Sequence, residues 1–154
     1  MIEDLKIREF EKDDITTLRD IILDAENFGD PFLNSEMLNI RRDSISDFGR
    51  VFVATLKGEI VGYITLRRNI FSFFIDSIIV GRKHQRRGIG RSLIDKARTH
   101  TWNEGLRVLR TDTASFMDYA ILFYLACGFK PCGYVEHDFG LNQKQVHFYM
   151  DVKG

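Results

Sequence analysis

Between Val80 and Ile89 the chain reads Gly-Arg-Lys-His-Gln-Arg-Arg-Gly, and what flanks this stretch leaves few ways to fold it. Ser72 to Val80 is an apolar, β-branched run of strand length. From Ile89 onward, Leu93, Ile94, Ala97 and Thr101 recur at helical spacing as far as Gly105. A strand, a glycine-bearing turn and a helix are therefore joined directly. Such a junction leaves backbone N–H groups unpaired at the positive end of the helix dipole, and its glycines let an anion approach the backbone closely. Arg82, Lys83, Arg86, Arg87 and Arg91 surround it with no acid before Asp95, so an anion is drawn there.

The remaining periodicities extend the pattern on both sides. Leu5 to Phe10 reads as a strand, and Ile15, Leu18, Ile21, Ile22 and Ala25 as the apolar side of a helix. After a break at Phe28-Gly29-Asp30-Pro31, a second helix is expected from Ser35 to Ser46, with Met37, Leu38, Ile40 and Ile45 inward. Val51 to Leu56 and Ile60 to Leu66 form a hairpin around Lys57-Gly58-Glu59. Val108 to Thr113 is another strand. Ser115 is expected to cap a helix running through Cys127, and two strands near Phe129 to Glu136 and Gln145 to Val152 complete the order β-α-α-β-β-β-α-β-α-β-β. That order calls for an α/β mixed sheet covered on both faces.

With 154 residues, 44% hydrophobic and 29% charged, the chain is expected to form one globular domain over 1–154. Charge sums to zero but is unevenly spread: residues 1–30 hold ten acids against four bases. The two cysteines, Cys127 and Cys132, are too few for a disulfide framework, and no Cys/His spacing suggests a metal site. Nothing reads as a signal peptide or membrane span, from which a cytoplasmic location is expected.

The turn lacks the Lys-Ser/Thr pair of a P-loop and the third glycine of the dinucleotide fingerprint. It resembles instead the signature of the GCN5-related N-acetyltransferase (GNAT) family, Gln/Arg-x-x-Gly-x-Gly/Ala, as Gln85-Arg86-Arg87-Gly88-Ile89-Gly90. A second segment, Asp118 to Phe129, is similar to the family's Asn-x-x-Ala-x-x-x-Tyr-x-x-x-Gly-Phe, with Tyr124, Gly128 and Phe129 in register. Met117 falls where the family often has Asn. The resemblance covers residues 72–129 and implies a mostly antiparallel sheet of about seven strands with about four helices.

It also implies acetyl-CoA as co-substrate, with no metal. The backbone of Ile78, Ile79 and Val80 would hold the pantetheine arm, and Gln85, Arg86, Arg87, Gly88, Ile89, Gly90 and Arg91 the pyrophosphate. Tyr124 would protonate the departing thiolate. For the base that deprotonates the amine two acids are expected, Asp112 at the end of its strand and Asp76 within an apolar one. The acceptor, a primary amine of a small molecule or a peptide, is expected between residues 24–37 and 134–145. His137 and His147 read as surface or strand residues, with His137, beside Glu136 and Asp138, preferred as a substrate contact.

Two other readings stand beside this one: an acyl-CoA sensor without chemistry, and a nucleic-acid binder using Arg82 to Arg91. The second is disfavoured by zero net charge and by the lack of aromatics among those bases. A monomer or homodimer is expected, with no membrane partner.

Overall fold

The computed structural model describes residues 2–25, 29–136 and 144–153. Its seven strands are β1 (Leu5–Glu9), β2 (Gly49–Leu56), β3 (Glu59–Arg68), β4 (Ser72–Val80), β5 (Val108–Ala114), β6 (Lys130–Glu136) and β7 (Lys144–Asp151). The helices are α1 (Ile15–Ala25), α2 (Asp30–Ile45), α3 (Ile89–Asn103) and α4 (Asp118–Ala126). The sheet runs β1-β2-β3-β4-β5-β7-β6, antiparallel throughout except for the β4–β5 pair. This is the mixed, mostly antiparallel sheet with four helices that the sequence implies.

Each face of the sheet is covered by a different helix pair, because alternate side chains along a strand point to opposite faces. On one face Leu18, Ile22, Leu33, Met37 and Ile40 of α1 and α2 pack on Val53, Tyr63 and Ile79. On the other, Ile89, Leu93, Ile94 and Ala97 of α3 and Tyr124 of α4 pack on Ile64, Ile75, Leu109 and Phe148.

Two element starts differ from expectation. Helix α2 begins at Asp30 rather than Ser35, with Pro31 in its first turn. There the absent N–H is no loss and the fixed φ suits a helix, so the proline that reads as a break is a start. Leu38 and Ile45, expected inward, are exposed, and Leu33 and Glu36 are buried instead. Helix α4 begins at Asp118 after Met117. Ser115 does not cap it: its Oγ accepts the backbone N–H of Lys144 at 3.1 Å, and its own N–H donates to the Lys144 carbonyl at 2.8 Å.

One irregularity shapes the centre of the molecule. The β3–β4 register passes from Thr65↔Ser77 to Leu66↔Ile75, so Asp76 is an extra residue bulged out of β4. On its other side β4 pairs with β5 only from Ser72↔Val108 to Ile75↔Thr111. The Thr111 hydroxyl donates to the Ile75 carbonyl at 3.3 Å as the last link. Beyond it the two strands part, and the sheet opens.

Candidate functional site

A cleft of about 1120 Å³ lies at this opening. One strand wall is the second half of β4. Gly81 N–H donates to the Val61 carbonyl at 2.8 Å, within the register Gly62↔Val80. In an antiparallel ladder successive residues turn their backbone groups alternately toward and away from the partner strand. Ile79, two residues from Gly81, therefore bonds toward β3, whereas Ile78 and Val80 direct N–H and C=O into the cleft. Val80 C=O accepts the side-chain amide of Gln85 at 2.9 Å, as this orientation requires.

The floor at one end is the turn into α3. After a 3₁₀ turn at Arg82–His84, Arg86 (φ 60°) and Gly88 (φ 87°) both take left-handed backbone conformations. An L side chain there is costly, so Gly88 fits, and Gly88 then stands as the residue just before the first helical position. Its carbonyl accepts from the Ser92 amide and hydroxyl, each at 3.1 Å. The N–H groups that open α3 point out of the helix end. Gly90 is glycine for another reason: a Cβ there would sit 3.1 Å from two ring atoms of Phe123. The start of α3 and α4 thus pack closely, and an added Cβ would need the Phe123 ring to give slightly.

The bases around this end are anchored. Arg82 donates to Asp24 through its backbone N–H, at 3.3 Å to Oδ2, and through Nε, at 3.1 Å to the carbonyl. Arg91 donates to the Ala126 carbonyl at the end of α4, and Arg87 lies 3.3 Å from Nδ1 of His84. Of the residues expected at the cofactor, Ile78, Ile79, Val80, Gln85, Arg86, Gly88, Gly90 and Arg91 line the cleft. Arg87 and Ile89 do not line it, and Ile89 is buried in the core beneath α3.

Tyr124 lines the cleft from α4 and is 6% exposed. Its ring packs against Phe123, Phe129 and Phe148 with centroids 5.5 to 5.7 Å apart, and its hydroxyl lies near Thr111. Burial pushes the phenol up to about 12, against the smaller opposing effect of Thr111. It is neutral at any physiological pH. Met117 and Tyr119 line the same wall, with the Tyr119 hydroxyl 3.7 Å from the Met117 sulfur. Cys127 lines it too, and burial raises its thiol, keeping it protonated.

The two acids singled out as bases lie elsewhere. Asp76 projects from the bulge to Arg67 Nη2 at 3.0 Å and Arg42 Nη2 at 2.6 Å, with Asp43 on the same cluster. Asp112 accepts from the Gln145 amide and, next to Thr111, points to the opposite face of β5. Neither lines the cleft. Among the described residues the carboxylate that does line it is Glu36 of α2, 7% exposed, whose Oε2 accepts the Tyr63 hydroxyl at 2.8 Å. The sequence carried one signal for it: Glu36 stands one turn after Phe32 and Leu33 and one before Ile40, on the inward side of α2. A helix expected only from Ser35 leaves Phe32 and Leu33 outside it, and with them that spacing.

Of the expected acceptor regions, Ala25, Phe32 and Glu36 reach the cleft. Residues 26–28 and 137–143, with them His137, lie outside the described residues. His147 stands opposite Asp112 in the β5–β7 register.

The family model for the acetyltransferase (GNAT) family matches residues 15–129. Solved structures agree in fold over nearly the whole chain. A protein from Desulfovibrio desulfuricans described provisionally as a GNAT-family acetyltransferase superposes with a TM-score of 0.87 at 16% identity, covering 97% of this chain and 99% of its own. The ribosomal-protein-S18-alanine N-acetyltransferase of Escherichia coli gives 0.81 at 17%, covering 97% and 95%. An aminoglycoside 6'-N-acetyltransferase complexed with coenzyme A gives 0.78 at 16%, covering 97% and 98%. A search of curated protein sequences finds no match. With 115 consecutive residues matched, spanning both the glycine turn and the Tyr124 helix, the chain belongs to the GNAT family of acetyltransferases.

Proposed function

We propose that this protein moves an acetyl group from acetyl-CoA directly to a primary amine, within one domain that holds both substrates. The observation that carries this reading is the parting of β4 from β5 at Ile75, with the glycine turn at one end of the gap and the Tyr124 phenol on its wall. Acetyl-CoA supplies the activated thioester. The described residues suit it in three ways.

The backbone of Ile78 and Val80 offers strand-edge donors and acceptors to an amide-bearing arm, in the manner of an added strand. The amides opening α3, with Arg86 and Arg91 beside them, offer a diphosphate a helix N-terminus and two cations. The gap also brings a strand amide near the reacting carbonyl, where it would stabilise an oxyanion.

Tyr124 is suited to give its proton to the departing sulfur. A phenol held near about 12 is a weaker acid than a thiol at about 8.5, so a free phenolate would be costly. The hydroxyl therefore gives its proton to sulfur while taking one from the new amide nitrogen, acting as a relay. Direct transfer, without an acetylated enzyme, follows the family resemblance, in which neither cysteine holds a nucleophile position.

The solved structures named above are described as acetyltransferases for a ribosomal-protein alanine and for an aminoglycoside, so both protein and small-molecule amines stay within reach of the fold. The zero net charge gives no support to nucleic-acid binding. Calorimetric titration with acetyl-CoA, followed by thiol release on adding polyamines, aminoglycosides, lysine peptides and peptides with a free N-terminus, tests the reading. Binding plus amine-dependent release is expected. Binding without release for any amine would instead identify an acyl-CoA sensor.

A further inference from the structure

We infer that Glu36, held by Tyr63, receives the ammonium group of the acceptor and takes its proton, which makes the acceptor a cationic amine bound from the α1–α2 side of the sheet. The inference rests on the acetyl-transfer reading and adds to it the missing base and the direction of approach.

The cleft passes through the sheet rather than lying on it. Tyr124 belongs to the core beneath α3 and α4, whereas α2, which carries Glu36, packs on the opposite face with Tyr63 and Ile79. Both nonetheless line one cavity, because the gap between β4 and β5 joins the two faces. A proton donor and a carboxylate therefore face one gap from opposite sides, which is the arrangement an attack on one side and a departure on the other would use.

The charges along the cleft are segregated. Arg82, Arg86 and Arg91 line the α3 end, and Glu36 is the acid among the described lining residues. An anion is held at one end and a cation drawn to the other. A carboxylate buried to 7% exposure is costly to maintain, and Tyr63, fully buried in β3, fixes its position with a 2.8 Å bond. Phe32 and Ala25 beside it offer an apolar wall to the carbon chain of an alkylamine.

The step balances without a further reactant. Glu36 takes one proton from R–NH3+, leaving R–NH2. The nitrogen forms a C–N bond to the acetyl carbon while the C–S bond breaks. Tyr124 gives its proton to sulfur and recovers one from nitrogen, and Glu36 later releases its proton to water.

The test compares Glu36→Gln with Asp112→Asn in the full chain, using an amine that the wild type acetylates. For E36Q, kcat/KM for the amine is expected to fall about 100-fold or more at neutral pH, while the calorimetric Kd for acetyl-CoA stays within twofold. Raising the pH toward the amine's own pKa supplies free amine, so the defect should shrink by up to about tenfold per unit, which a merely structural role would not produce. Tyr63→Phe keeps the carboxylate but loosens it, and about a tenfold rise in KM is expected, which serves if E36Q fails to fold. Full turnover in E36Q with loss in D112N would overturn the inference and leave acetyl transfer standing. A wild type that binds acetyl-CoA but acetylates no amine would overturn both.

Discussion

The two ends of the cleft are built from different materials. At the α3 end the groups that face a ligand are mostly main chain: strand amides at Ile78 and Val80 and the opening amides of α3 behind Gly88. At the α2 end they are side chains, Glu36, Phe32 and Ser77. Main-chain groups are present whatever the residue, so the first end needs glycines and little else. Side chains change with every substitution. Under the proposed function the first end would suit one unvarying ligand and the second an acceptor that differs from protein to protein.

The sharpest way to break this contrast is Gly88→Val. Forcing an L side chain to φ 87° costs roughly 1–2 kcal/mol, and displaced amides would lose a comparable amount of phosphate bonding. Together, about 3 kcal/mol corresponds to at least about 100-fold weaker acetyl-CoA binding, read by calorimetry. Every amine should suffer equally. An acceptor-dependent loss would show that the two ends are not separable.

Tyr124→Phe probes the point between the ends. It keeps the ring that packs on Phe123, Phe129 and Phe148 and removes only the hydroxyl. A fall of about 100-fold in kcat is expected with little change in KM for either substrate. Loss of binding instead would make Tyr124 a wall rather than a proton donor.

Asp76→Asn sharpens the contrast at the α2 end. Asp76 sits on the bulge that opens the sheet, yet its carboxylate is engaged by Arg67 and Arg42, which are 47% and 42% exposed. Because water screens those guanidiniums, the loss is expected to be modest, about 1–2 kcal/mol in chemical denaturation, with kcat changed less than about threefold. Burial and the adjacent Asp76 charge push Asp43 up to about 6, so the same change should lower the Asp43 titration, visible by NMR. A collapse of kcat in D76N would return Asp76 to the chemistry.

The same contrast decides how much could be read from the sequence. The glycine turn and the Tyr124 helix were legible because backbone-built sites demand particular residues at fixed spacing, and apolar periodicity set the strands on either side. Glu36 was not, since its inward spacing from Phe32 and Leu33 shows only if α2 starts at Asp30, and Pro31 reads as a stop although it stands where that helix begins. Asp76 drew attention as a buried acid in an apolar strand. Its partners Arg67, nine residues away, and Arg42, 34 away, become neighbours only once β3, β4 and α2 are packed. The close packing at Gly90 was hidden in the same way, for the Phe123 ring that a Cβ would crowd comes from a helix 33 residues on.

A change far from both ends should treat them alike, and His100 provides it. The ring lies between Phe52 and Phe73 at 5.4 and 5.1 Å, under α3, with Glu104 4.0 Å from Nε2. Burial is the main cause that lowers its pKa, outweighing the pull of Glu104, while Arg50 and Lys96 lower it further. A group whose folded value lies below its unfolded one binds fewer protons when folded, so its contribution to stability is complete above about 6.5 and is lost as pH falls through that value. Wild-type stability should therefore decline between pH 7 and 5 more steeply than that of His100→Gln, by at most about 1.4 kcal/mol per pH unit, measured by denaturant titration at each pH. At pH 7.5 the variant should bind acetyl-CoA and amine with ratios unchanged from wild type. Equal slopes in wild type and His100→Gln would show that His100 is not the titrating group.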